Sequence, residues 1–104
     1  MLDNGLPVLA LRGEVDVYTT PQMKEHLSSM IQQGAKQIVV DLSGVSYLDS
    51  TALGALIGAL HRLKEHEGNI LVTGAAARVK RVFEITGLDK VFDMYESIDQ
   101  ISTD

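Results

Sequence analysis

A change of hydrophobic period inside one short stretch, Gln37 to Leu60, limits the folds open to this chain. Gln37-Ile38-Val39-Val40-Asp41-Leu42 is a nearly continuous apolar run rich in β-branched residues, the pattern of a strand covered on both faces. Ser43-Gly44 supplies turn chemistry, and Val45-Ser46-Tyr47-Leu48 carries the chain to Asp49. From Ser50 the apolar positions Leu53, Leu56, Ile57, Leu60 and Leu63 recur at helical spacing. Ser50, Thr51, Gly54, Gly58, His61, Arg62 and Glu65 fall on the opposite arc. Ser50 is expected as the N-cap of this helix, its hydroxyl accepting from an amide of the first turn. Each glycine in a helix interior costs about 1 kcal/mol against alanine. Gly54 and Gly58 lie one turn apart below Ser50, and such a bare face suits the close approach of a partner's backbone.

The remainder of the chain alternates strands with helices. Pro7 suits a strand start, Val8 to Gly13 reads as a strand bending at Gly13, and Glu14 and Asp16 follow in a loop. Thr20-Pro21 opens a first helix, a hydroxyl N-cap before proline at the first helical position. Met23, Leu27, Met30 and Ile31 form its core stripe, and Gly34 ends it in left-handed conformation. The second helix ends at Gly68, and Asn69 to Thr73 is a second buried strand. Ala76 to Thr86 is a third helix with Val79, Val82 and Phe83 on its core face and Gly87 as its cap. Val91 to Tyr95 is a short last strand, and Ser97 to Ile101 a short terminal helix. The expected architecture is therefore α/β: one small domain with a mixed, mostly parallel central sheet of four to five strands and flanking helices. Right-handed crossovers place the C-terminal strand ends on one rim, with Asp16, Asp49, Ser50 and Gly74.

Composition narrows the function. At 104 residues the chain suits one domain. Its net charge of −5 lacks the basic footprint that nucleic-acid binding requires. No apolar run reaches the eighteen or so residues of a membrane span, and no leader pattern is present, so a cytoplasmic location is expected. Cysteine is absent, which removes thiol chemistry. A nucleophilic Ser50 would need a base in reach, yet His61 lies about 16 Å along the same helix. His26 and His66 fall on polar faces. No nucleophile elbow, phosphate loop or dinucleotide fingerprint is present. Asp16, Asp41 and Asp49 make no convincing metal set, because Asp41 sits within an apolar strand. The chain is expected not to be an enzyme and to need no cofactor or metal. What remains is a serine that is acted upon.

Val45-Ser46-Tyr47-Leu48-Asp49-Ser50-Thr51-Ala52-Leu53-Gly54 resembles the signature of the STAS domain, in the branch formed by bacterial anti-sigma factor antagonists. Gly13-Glu14-Val15-Asp16 resembles a second block of that family, and the likeness runs through Gly68 and Gly74 to Thr86-Gly87-Leu88. It departs at Ala52, where the family usually has glycine, and at Met1 to Leu6, which is shorter than the family's first strand. The resemblance implies a partner switch: Ser50 (Thr51 as the alternative) is phosphorylated by a protein that is both anti-sigma factor and serine kinase. A serine phosphatase reverses the mark. The unphosphorylated domain binds the kinase through Asp16, Asp49, Ser50, Thr51, Gly54 and Gly58 and releases a sigma factor to RNA polymerase. The competing readings are a STAS scaffold in a larger complex (a stressosome, lipid transport or secretion control) and a nucleotide-sensing rim. Whether the domain forms a homodimer is left open.

Overall fold

The computed structural model describes residues 5–101. Its elements are β1 (Val8–Val15), α1 (Thr20–Gln32), β2 (Gln37–Leu48), α2 (Ser50–Lys64), β3 (Asn69–Thr73), α3 (Ala77–Thr86) and β4 (Asp93–Tyr95), with 3-10 turns at Leu88–Lys90 and Ile98–Gln100. The sheet has the order β1-β2-β3-β4, and each neighbouring pair is parallel. The expected α/β domain is thus present, its four described strands all parallel. The question of a further strand from the N-terminus falls partly on residues 1–4, outside those described.

Because every crossover steps the same way along the sheet, right-handed connections carry the helices to one face. Met23 and Leu27 of α1, Leu56 and Leu60 of α2 and Val79 and Phe83 of α3 share one core cluster with Ile38, Val40, Leu42, Ile70 and Val72. Phe83 and Phe92 close its far end edge to face, with centroids 5.8 Å apart. Val39, Leu71 and Thr73 alternate to the other face; they are buried but lie outside that cluster. The continuous apolar run of β2 therefore reflects burial of both sheet faces, with the helices accounting for one.

Five local expectations are corrected. Ser43-Gly44 is not a turn: β2 continues to Leu48 and pairs with β1 to its end. The register slips twice, between Ala10 and Arg12 and between Gly13 and Glu14, and each slip inserts one extra β2 residue. The core positions of β2 consequently pass from Ile38, Val40 and Leu42 to Val45 and Leu48, a spacing of three residues that does not read as a strand. Nor does β1 stop at Gly13; it runs to Val15 and holds Glu14 beside Tyr47. Helix α1 begins one residue early, with Thr19 as N-cap and Thr20 buried in the first turn. The last strand is shorter than expected, because a 3-10 turn takes up the chain before Val91, and the terminal helix is one such turn.

Gly68 is needed for space rather than for backbone freedom. A side chain there would run into the carbonyl of Lys36, and the left-handed residue of this turn is its neighbour Glu67, at φ 62°.

Candidate functional site

Beyond Asp41 and Thr73, where β3 stops, β1 and β2 continue as a two-stranded ribbon. Its tip positions the candidate site. The Asp49 amide donates to the Val15 carbonyl at 3.1 Å, which brings Asp16 and Asp49 side by side at the ends of paired strands. Asp49 is extended, at φ −98° and ψ 179°, and its Oδ1 accepts from the Ala52 amide at 2.9 Å. Its carbonyl accepts from Leu53. Asp49 is therefore the N-cap of α2, and the expectation that Ser50 caps it is corrected. An N-cap must stand outside the helix to reach the third amide, and Ser50 is already the first helical residue. Its side chain is exposed, and no hydrogen bond engages its hydroxyl among the described residues.

Asp16 has work of its own. Its Oδ1 accepts from the amides of Tyr18, at 2.9 Å, and Thr19, at 3.1 Å, while its amide donates to Thr19 Oγ1 at 2.9 Å. Thr19 Oγ1 in turn donates to the Glu14 carbonyl at 3.2 Å. These bonds shape the loop between β1 and α1 and hold Tyr18 outward, 86% exposed. Tyr47 stands half exposed on the same ribbon. Thr19, Tyr18 and Tyr47 escaped the sequence reading; the Asp-x-x-Thr spacing was the available sign of the loop network.

Thr51, Gly54 and Gly58 are exposed along one face of α2, and a Cβ built on either glycine meets nothing within 4 Å. Ala52 is fully buried in the core, so its methyl group does not reach the exposed face that carries Ser50. Between α1 and α2 runs a groove of ≈ 410 Å³, floored by the two glycines and bordered by Lys24 and Arg62. Gly74, expected on this rim, is not part of it. It lies against Asp41 and Ser43, because β3 ends there, on the order of 20 Å back along β2. Asp41 accepts from the Ser43 amide at 3.0 Å, and no metal-binding cluster forms among the described residues. His26, His61 and His66 are all exposed. No helix among the described residues is long and apolar enough to cross a membrane.

A family model described as the STAS domain matches residues 3–101. The chain belongs to the STAS domain family. An anti-sigma-B factor antagonist of Staphylococcus aureus (strain NCTC 8325 / PS 47) is 43% identical to this STAS domain over 84 residues, 81% of this chain and 78% of its own. An anti-sigma factor antagonist from Mycobacterium paratuberculosis has the same fold, with a TM-score of 0.82 and 28% identity over 93% of this chain and 85% of its own. The Bacillus cell fate determinant SpoIIAA in its phosphorylated form matches with a TM-score of 0.70 and 24% identity, over 90% of this STAS domain and 86% of its own chain. At that identity the likeness speaks for the fold alone.

Proposed function

We propose that this STAS domain is an anti-sigma factor antagonist whose binding is switched by phosphorylation of Ser50. The observation that carries the reading is the first turn of α2. A free, exposed hydroxyl stands there beside a helix face that two glycines leave open, while the neighbouring Asp49 does the capping. The 43% identical relative, an anti-sigma-B factor antagonist, supports the first half of the reading. SpoIIAA, which has a phosphorylated form, supports the second by analogy of fold. On this reading the chain is a regulatory binding protein and not an enzyme.

The partner is an anti-sigma factor that is also a serine kinase. It transfers the γ-phosphoryl group of ATP to Ser50 Oγ; ADP leaves, and the hydroxyl proton passes to a base of the kinase. A serine phosphatase hydrolyses the phosphoserine and restores the binding form. The mark adds about −1.5 to −2 charges next to Asp49 and Asp16. The amides and dipole at the start of α2 tolerate it, so binding changes while the fold persists. Asp16, Asp49, Ser50, Thr51, Gly54 and Gly58 form the contact surface. The location is the cytoplasm, where kinase, ATP and RNA polymerase meet.

Coexpression with the anti-sigma factor of the same organism, followed by peptide mapping, tests the switch. Phosphate is expected on Ser50, and Ser50→Ala should take up none. Phosphate on Thr51 alone, or on neither residue, overturns it.

A further inference from the structure

The groove between α1 and α2 carries a charge opposite to that of the whole chain. The sequence has a net charge of −5, yet none of the residues lining the groove is acidic, and Lys24 and Arg62 border it. Arg62 Nη1 donates to Ser28 Oγ at 3.0 Å, which ties α2 to α1 and fixes the guanidinium. The other guanidinium donors stay available for a carboxylate, the group that Arg binds with two parallel hydrogen bonds. A buried polar atom also lacks a partner here. Thr20, only 2% exposed, lines the groove, and its Oγ1 makes no hydrogen bond. From Thr51 to Arg62 the groove follows α2 for about 16 Å, some three helical turns. Its floor at Gly54 and Gly58 is bare backbone with open space above it, so another helix can come closer than the usual 8–10 Å between axes.

We propose that this groove seats a carboxylate-bearing helix of the anti-sigma partner, with the carboxylate held by Arg62 and Lys24 and the helix backbone passing over Gly54 and Gly58. The inference rests on the reading of the chain as an anti-sigma factor antagonist and adds the chemistry of the surface it must meet. Thr51 lines the opposite end of the groove, and Ser50 precedes it in the first turn of α2. A phosphate there and a carboxylate at Arg62 therefore act on two ends of one docked helix.

The test measures affinity for the anti-sigma-B factor of S. aureus, taken as the probe because the 43% identical relative is named as its antagonist. Arg62→Glu and Lys24→Glu are each expected to bind at least about tenfold more weakly, as truncation or reversal of a paired interfacial charge does. Arg62→Gln, which keeps a donor for Ser28, should fall in the same direction. Wild-type binding should weaken from about 50 to about 300 mM salt, and the two reversals should lose most of that dependence. Lys90→Glu makes the same change of charge outside the groove and should stay within about threefold. Melting temperatures of all variants identify any that fail to fold. Unchanged affinity of Arg62→Glu and Arg62→Gln, or an equal loss in Lys90→Glu, overturns the groove. A wild-type dimer that Arg62→Glu splits assigns the groove to a second copy and overturns it as well. Failure of the wild type to bind at all defeats the antagonist reading itself, a different result from a wild type that binds as well as its variants.

Discussion

Asp49 and Ser50 are adjacent residues with separate duties. Asp49 spends its carboxylate on the Ala52 amide, and Ser50 keeps its hydroxyl free. Removing a helix cap costs about 0.5–2 kcal/mol, whereas trimming an exposed polar side chain without contacts changes stability by about 0.5 kcal/mol or less. Urea unfolding should therefore show Asp49→Ala destabilised by about 1 kcal/mol and Ser50→Ala nearly unchanged. The reverse order would return the cap to Ser50. Both residue types are good caps, and sequence preference alone does not choose between neighbours; the extended backbone of Asp49 makes the choice. Thr19 and Thr20 present the same one-residue ambiguity at the start of α1, but there the cap, Thr19, has a helical backbone at φ −97° and ψ −18° and makes no side-chain capping bond. Such ambiguities have consequences, because the residue excused from capping is the one left available for modification.

At the scale of the element, α2 was legible and β2 was not. The α2 pattern holds: Leu53, Leu56, Leu60 and Leu63 are buried, and Thr51, Gly54 and Gly58 are exposed, because a regular helix keeps its 3.6-residue period from end to end. In β2 two bulges replace the two-residue alternation with three-residue steps to Val45 and Leu48, so half a strand looks like a turn. The groove was invisible for a further reason. Lys24 and Ser28 belong to α1 and Arg62 to α2, and only the packing of two helices brings them together. The open face of α2 can be tested directly. A Cβ at Gly58 meets nothing, so Gly58→Gln should gain roughly 0.5–1 kcal/mol of helix propensity. The same side chain would stand in the groove and should remove most of the affinity for the anti-sigma partner. Thermal melting and binding measured on this one variant separate the possibilities: unchanged affinity would mean that the glycines serve no docking role, and a lower melting temperature would contradict their exposure.

Over the whole molecule, the candidate site lies where a charge can be added at the surface without displacing the core. The core cluster, built by all three helices, reaches under the ribbon through Val15, Val45, Leu48 and Ala52, while Ser50 stands exposed at the tip where the ribbon outruns β3. No core residue is displaced by a group added at its exposed hydroxyl. Ser50→Asp places a carboxylate in the first turn of α2, where the helix dipole favours it by roughly 0.3–1 kcal/mol. The capping carboxylate of Asp49 next to it opposes that gain through like-charge repulsion. The two effects are of similar size, so chemical denaturation should place this variant within about 1 kcal/mol of the wild type. Docking a partner helix over the same turn removes the water that screens the new charge and brings it into the contact surface. There the cost should exceed about 1.4 kcal/mol, a tenfold loss of affinity. The expected result is one variant with wild-type stability and at least tenfold weaker binding to the anti-sigma partner. Tight binding by Ser50→Asp would show that charge at this position is not the switch, and a large loss of stability would show that Ser50 itself makes a contact on which the fold depends.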